Sequence, residues 1–336
     1  MSEYIAITKN ALVEDTKIEF DLFLRNDHNG RSRYVLFCRG DQQFSRQLRE
    51  ELLDKKVEQF YISTKDKDKY LRYQEQNLNQ IIGDSSKSSL QKSGALYQVA
   101  KNLTHDILSE PIPANATERA SAWVGNTITH IIQNENTFSS LFKVTSHDYH
   151  TYTHSINVSV IGLLFGKYLS LKPHELECLG TGLLLHDIGK SALPSGIINK
   201  RGSLTSEEFN IIKKHPKEGF DLLEPRKNVD GSSIKVVIQH HENYDGTGYP
   251  YGIGGNDIHL FGHIARIIDA YDAMTSDRPY ASAMRPFATL AEIKKEMEGC
   301  FSEELLKEYI CFLGLKEQRS KPRVDDTLLN PSSIAK

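Results

Sequence analysis

Two rhythms of apolar and polar residues divide the chain. Up to about residue 82 the apolar positions fall in short runs with partial alternation. From about 95 to 312 they recur at intervals of three and four, the period of helices with one buried face. In the first stretch, FDLFL at 20–24 leads into RNDHNGRSR, whose Asn29-Gly30 pair is a strong hairpin-turn signal, and YVLFC at 34–38 supplies the return strand. Phe44, Leu48 and Leu52 recur at helical spacing, VEQFYIS at 57–63 reads as another strand, and Leu71, Leu78 and Ile82 mark a polar helix. GDSSKSSLQKSG at 83–94 is rich in Ser, Lys and Gly and predicts a linker. Further on, helix starts are signalled by Pro173, by Thr205 and Glu208 at capping-box spacing, and by Pro286. The expected organisation is a small α+β domain at 1–82, a linker at 83–94, a helical domain at 95–315 and a polar tail at 316–336. The expected fold class is therefore mainly α, with an all-helical domain preceded by the small α+β one.

Length and composition agree with this. At 336 residues the chain suits about two domains, and 39% hydrophobic with 25% charged residues supports a packed core. The formal net charge of -3 gives no electrostatic footprint for duplex nucleic acid. No apolar run reaches the length of about 18 residues needed to span a membrane, and MSEYIAITKN lacks the apolar stretch of a signal peptide, so the expectation is a soluble, cytoplasmic protein without a membrane partner. The four cysteines, at 38, 178, 300 and 311, form no CxxC pair and suggest neither a zinc knuckle nor a disulfide framework.

The histidines change the picture. His154 sits in YTHSINVSVIGLLFG, His186 and Asp187 in GLLLHDIGK, His215 in IIKKHPKEG, His240 and His241 at the end of IKVVIQHH, and Asp269 and Asp272 in HIARIIDAYDAM. A carboxylate on an apolar helix is costly to bury unless it is paired or bound to a metal. One such residue is ordinary, since a core histidine usually bonds to backbone. Five histidines and at least two acids spread over five helical segments are explained together by convergence on a metal cluster. Seven donors exceed the three or four that one tetrahedral zinc takes, and a carboxylate with imidazoles on either side suits two metals about 3.5–4 Å apart. Asp187, directly after a ligand histidine, is the expected bridge. Imidazole and carboxylate without thiolate suit iron, manganese, zinc or nickel alike.

HDIGK at 186–190, HHENYDGTGYP at 240–250 and ARIIDAYDAMTSDRPY at 265–280 resemble the HD-GYP family of cyclic di-GMP phosphodiesterases, within the HD phosphohydrolase superfamily. The resemblance runs from about 145 to 285. It implies an HD-type helical domain and the metal ligands His154, His186, Asp187, His215, His240, His241 and Asp269, the same set reached from the residues alone. It implies two divalent ions, iron or manganese foremost. Four residues before His154 the family carries Tyr, or Glu where a third metal binds. Here it is His150, on the same helical face as His154, which is open either to ligating a third metal or to hydrogen bonding near the site.

The implied reaction is hydrolysis of cyclic di-GMP to pGpG, with onward cleavage to GMP left open, by a water that the paired ions share and ionise. Asp187, Lys190 and Asp272 are the expected catalytic groups. Lys190, Arg278, Tyr280, Arg285 and the loop residues Gly248, Tyr249 and Pro250 are the expected substrate contacts. Asp272 is read either as a group behind the ligands or as a proton acceptor. After RPY the family often has Lys or Arg, where this chain has Ala281, with Arg285 one helical turn on as a substitute. In the family the Gly-rich loop also meets GGDEF domains, which become expected partners, and a homodimer is the expectation for the N-terminal module. Two alternatives stand beside this reading. One is a phosphodiesterase for another cyclic dinucleotide, cyclic GMP-AMP. The other is a non-catalytic cyclic-dinucleotide receptor or interaction module.

Overall fold

The computed structural model describes residues 3–8, 12–28, 31–48, 50, 59–109, 111–133, 137–145, 151–200, 202–226, 228–276, 284 and 286–314. It divides into two compact units, Met1–Asn102 and Leu103–Lys336.

In the N-terminal unit, strands β1 (Tyr4–Thr8), β3 (Leu22–His28), β4 (Arg31–Cys38) and β6 (Gln59–Ser63) form an antiparallel sheet in the order β1-β6-β3-β4. Two-residue strands β2 (Thr16–Lys17) and β5 (Gln43–Phe44) pair separately. Alternation decides which face is buried. Ile7, Leu22, Phe60 and Ile62 point inward with Ile18, Phe20 and Tyr73, while Tyr4, Phe23, Tyr34 and Tyr61 make ring contacts with one another. The Asn29-Gly30 pair lies outside the described residues, but His28 and Arg31 on either side of it are paired, as the hairpin expectation requires. Two expectations are corrected. Phe44 closes the β2–β5 bridge instead of starting a helix at its spacing with Leu48, because its ring is needed in the core; residues 46–48 are helical and Leu52 lies outside the described residues. The polar helix after β6 is two helices, α1 (Lys67–Gln76) and α2 (Leu78–Gly83), with Asn77 between them. Strand β1 has no turn signals around it and was not expected from the pattern.

The stretch read as a linker is short. Asp84 accepts hydrogen bonds from the Ser86 backbone and hydroxyl and pairs with Lys87, and helix α3 (Ser89–Ile107) begins directly afterwards. The division between units falls inside α3, not at 83–94.

The C-terminal unit is helical: α4 (Ala116–Gln133), α5 (Thr137–Thr145), α6 (Thr151–Tyr168), α7 (Pro173–Leu185), α8 (Ser195–Ile198), α9 (Ser206–Ile212), α10 (His215–Leu223), α11 (Gly231–Gln239), α12 (Leu260–Thr275), α13 (Pro286–Glu296) and α14 (Glu303–Gly314). The starts follow the sequence signals. Pro173 opens α7, where the Lys172 N–H donates to the Glu175 carboxylate. Thr205 and Glu208 close a reciprocal box at α9, and Pro286 opens α13. Helices α6 and α7 are buried nearly all round over 153–166 and 178–186, so they are the centre of the unit, with α4, α11 and α12 packed about them. The tail at 316–336 lies outside the described residues.

Leu183 of α7 is fully buried against Gly162 of α6, where an added Cβ would come within 2.0 Å of its side chain. Leu183→Ala is expected to destabilise this unit by about 2–5 kcal/mol. Denaturation followed by fluorescence of Trp123, the chain's one tryptophan and itself buried in α4, reads that loss. A change below about 1 kcal/mol would show that the α6–α7 contact is not tight.

Candidate metal centre

The ends of the buried helices deliver the polar groups. Helix α7 stops at Leu185, and His186 and Asp187 follow before a single tight turn over Ile188–Ala192. Gly189 in that turn lies on the start of α10: a Cβ there would fall 2.0 Å from the His215 carbonyl oxygen and 2.4 Å from the Gly219 nitrogen. Only glycine lets the two backbones meet, and their meeting brings His215 to Asp187. His240 and His241 end α11, His154 lies in the first turns of α6, and Asp269 and Asp272, three apart on α12, both reach His154. His154, His186, Asp187, His215, His240, Asp269 and Asp272 are buried, and His241 is half-buried. All seven ligands expected from the sequence come together. The five imidazoles form a continuous group with neighbouring ring centroids 4.2–5.2 Å apart.

Hydrogen bonds fix which nitrogen each ring presents. The Nδ1 atoms of His186, His215 and His240 lie 2.7, 2.8 and 2.8 Å from the carbonyls of Leu183, Ile212 and Val237, each three residues back. A carbonyl only accepts, so each Nδ1 carries the proton and each Nε2 is a bare lone pair. Those lone pairs are aimed at each other and at acid oxygens. His215 Nε2 and His240 Nε2 are 3.0 Å apart, His215 Nε2 is 3.3 Å from Asp187 Oδ1, and His186 Nε2 is 3.4 Å from Asp187 Oδ2. His186 Nε2 and Asp187 Oδ1 are buried without a hydrogen-bond partner. Such an arrangement of acceptors is repulsive unless a cation lies among them. On the other side, Asp272 Oδ2 holds His154 Nδ1 at 2.7 Å while His154 Nε2 faces Asp269 Oδ1 at 3.0 Å.

The donor atoms sort into groups that fit ions. His154, His186 and Asp269 form one triple and His215, His240 and His241 another, each with its ligand atoms within 4.8 Å of one another. A third triple, His186, Asp187 and His240, lies across them, with the two Asp187 oxygens turned toward different histidines. A carboxylate turned this way would be able to bridge two ions held by the neighbouring donors. The residues present therefore fit two divalent ions, and the donor set contains no thiolate.

Protonation agrees. Burial holds His215 down at about 4 and His241 at about 3, and pushes His240 well below its usual value, so these rings are neutral at pH 7, the form that can ligate an ion. Burial disfavours ionised Asp187 and Asp269, but the facing imidazoles, and Lys190 for Asp187, outweigh it and keep both well below the usual carboxylate range. For His154 burial opposes the charged ring, yet hydrogen bonds to Asp269 and Asp272 prevail and push it up to about 10, leaving it a proton where a metal would sit.

The remaining expected residues are placed unevenly. Lys190 Nζ lies 2.6 Å from Asp187 Oδ2 and is about a third exposed, so it offsets the Asp187 charge from the solvent side. Asp272 touches the Nδ1 side of His154, away from the ligand atoms, and so orients that ring rather than meeting a reactant. The loop that carries Gly248, Tyr249 and Pro250 is tightly bonded, not slack. Tyr249 N–H donates to the His241 carbonyl, its ring stacks on His241 at 4.6 Å, and a Cβ at Gly248 would strike Asn243, Glu242 and His241 backbone at 2.3–2.5 Å. The Tyr249–Pro250 bond is cis. His150, Arg278, Tyr280, Ala281 and Arg285 lie outside the described residues.

Three contributors were not singled out from sequence. Glu242, buried and raised by that burial, accepts the Tyr251 N–H and ties the loop to the His240–His241 pair. Arg266 donates to Asn243 and lies over Phe301. Gly189 permits the approach described above. Glu242 and Gly189 stood inside HHE and HDIGK, but spacing alone gives no sign of a backbone contact or a buried acid.

Residues 141–301, just under half of the chain, match the family model described as HD domain. Cyclic di-GMP phosphodiesterase PA4108 of Pseudomonas aeruginosa is 33% identical over 199 residues, which are 59% of this chain and 48% of that protein. A 3'3'-cGAMP-specific phosphodiesterase 3 of Vibrio cholerae is 31% identical over 171 residues, 50% of this chain and 35% of that protein. The chain thus spans half or less of the length of these curated relatives. The solved structure of Bd1817, described as a HDG"Y"P protein from Bdellovibrio bacteriovorus, shares the fold over 93% of this chain and 99% of that one, with a TM-score of 0.65 and 21% identity.

Two outcomes test the centre. In metal-free protein the unfolded chain, with histidines near 6.5, takes up protons before the folded one, whose His215 and His241 stay neutral to about 4 and 3. Stability is therefore expected to fall as pH drops from about 6.5 to about 4; His154, at about 10 when folded, is protonated in both states and adds nothing there. Thermal melts of chelator-treated protein across that range measure it, and a flat profile would contradict it. Separately, Asp272→Asn is expected to weaken binding of first-row divalent ions by about 10–100-fold, read by metal titration, because the neutral amide is a weaker acceptor for the His154 Nδ1 proton than the carboxylate.

Proposed function

We propose that this chain is a metal-dependent phosphodiesterase that opens cyclic di-GMP to pGpG and cleaves that onward to GMP. The observation that carries the reading is the cluster of bare imidazole nitrogens around the two divergent oxygens of Asp187, where His186 Nε2 and Asp187 Oδ1 are buried without a hydrogen-bond partner and only Oδ2 meets Lys190. The ions it holds, iron or manganese by the family's habit, supply Lewis acidity and an ionised water at neutral pH. The chain's own residues do the rest. His154, His186, Asp187, His215, His240, His241 and Asp269 hold the centre, and Asp272 and the Leu183, Ile212 and Val237 carbonyls set the ring orientations. Lys190, beside the Asp187 oxygen, is positioned to meet a phosphate oxygen at the exposed edge of the site. Tyr249, stacked on His241 and half-buried, forms the wall against which a nucleotide lies. Hydrolysis forms one new bond from water oxygen to phosphorus and breaks the bond to the ribose 3′ oxygen, which leaves with a proton.

Arg278, Tyr280 and Arg285 complete the substrate contacts in this reading, and His150 is a ligand for a third ion or a neighbour of the pair. Tyr244 and Tyr251, both exposed on the Gly-rich loop, offer a surface to a GGDEF-domain partner. The N-terminal unit regulates or pairs protomers. The name of the Vibrio cholerae relative favours a second reading for the same centre, with cyclic GMP-AMP as substrate.

Turnover of both cyclic dinucleotides by anaerobically prepared protein with Fe(II) or Mn(II) decides among these. Cleavage of cyclic di-GMP is expected, with His186→Ala and Asp187→Ala reduced to the uncatalysed background. Preferential cleavage of cyclic GMP-AMP would transfer the reading to that substrate. Tight binding without turnover under any metal would make the protein a receptor.

A further inference from the structure

A second cluster of donors lies at the other end of two of the same helices. His174 is the second residue of α7 and Cys178 stands one turn on, so both face one side. Asp230 caps α11, its Oδ1 accepting the Ser232 N–H at 2.7 Å, while its Oδ2 is 3.8 Å from His174 Nε2. The Cys178 sulfur is 3.6 Å from the same nitrogen. One nitrogen, one sulfur and one oxygen thus lie within 4.8 Å of one another. The Ser233 hydroxyl, donating to the Cys178 carbonyl at 2.8 Å, fixes the start of α11 against α7 and holds the cluster in register.

These separations are those of ligands around one ion. With zinc–nitrogen and zinc–oxygen bonds of about 2.0–2.1 Å and zinc–sulfur of about 2.3 Å, tetrahedral edges are roughly 3.3–3.6 Å long. The observed 3.6 and 3.8 Å need no helix movement to reach them. Thiolate, carboxylate and neutral imidazole around a divalent ion also sum to zero charge. The N-terminus of α11, which Asp230 caps, favours that carboxylate, and a neutral complex gives it little to oppose. His174 and Asp230 are exposed, which leaves the fourth position to water, while the sulfur is buried. Burial first, and Asp230 second, push the thiol up to about 12, so without an ion Cys178 is an inert thiol rather than a nucleophile.

We propose that His174, Cys178 and Asp230 form a separate thiolate-containing site for a divalent transition ion, zinc by its donor set. Helices α7 and α11 each carry this cluster at their N-terminal ends and the ligands His186 and His240 beyond their C-terminal ends. Twelve and ten residues separate the two, about 18 and 15 Å along the helices. The peripheral ion clips together the pair of helices whose other ends hold the metal centre. The inference stands whatever substrate that centre accepts.

Cobalt(II) tests it, because a thiolate on cobalt gives a charge-transfer band in the near ultraviolet and none of the seven ligands of the main centre is a cysteine. The 336-residue chain saturated with cobalt is expected to show that band at one equivalent per chain. Cys178→Ser and His174→Ala are expected to lose most of it while far-ultraviolet circular dichroism shows both still folded. Since Cys178 is buried, the exposed His174 variant keeps the test sound if Cys178→Ser folds poorly. Zinc is expected to raise the melting temperature of the parent protein by more than that of His174→Ala. Absence of the band in folded, cobalt-saturated protein overturns the proposal. So does a band undiminished in either variant, which would belong to Cys38, Cys300 or Cys311.

Discussion

His215 and His240 face each other through nitrogens that carry no proton, 3.0 Å apart and buried, with the Asp187 carboxylate beside them. Water would relieve that repulsion at a surface, but these rings are shut away from it. The Nδ1 protons cannot relieve it either, because backbone carbonyls hold them on the far side of each ring. Positive charge between the rings is the remaining remedy, and the two donor triples on either side of Asp187 offer places for two ions. The rest of the C-terminal unit keeps this unfavourable arrangement from relaxing.

Rigidity comes from apolar packing. Helices α6 and α7 are buried nearly all round, so neither rotates to carry His154 or His186 outward without exposing leucines and isoleucines, each worth about 1.5–3 kcal/mol of burial. Gly189 lets the start of α10 lie directly on the turn after Asp187, which fixes the backbone that carries His215. Tyr249 and Glu242 tie the Gly-rich loop to the His240–His241 pair, so the loop is an extension of the centre and not a loose cover. The metal-centre end of α7 and α11 is thus fixed by contacts on every side. The opposite end is fixed by the Ser233 bond and, as inferred above, by an ion of different chemistry.

The clustered histidines and acids were legible in the sequence because each interrupts or ends an apolar helical run, where a polar group without a reason to be buried is costly. Helix starts at Pro173, Thr205 and Pro286 were legible because their signals are local. What the sequence hid is long-range. The part taken by Asp272 depends on which nitrogen of His154 it meets, 118 positions away in the chain. Cys178 read as an isolated thiol because its partners are one helical turn before it and fifty-two residues after it, with no CxxC to draw attention. Strand β1 is defined by its pairing with β6 rather than by its own pattern, and Phe44 follows the core instead of the helical spacing around it. The stretch at 83–94 has the composition of a linker, yet from Ser89 onward it is helix.

The central claim is that Asp187 stands between two ions. Anomalous diffraction from crystals loaded with iron or manganese, collected on either side of the metal edge, tests it most directly. Two peaks about 3.5–4 Å apart, one toward His154, His186 and Asp269 and the other toward His215, His240 and His241, with Asp187 between them, are the result this account predicts. A single peak, or none within reach of Asp187 in fully loaded crystals, would contradict it.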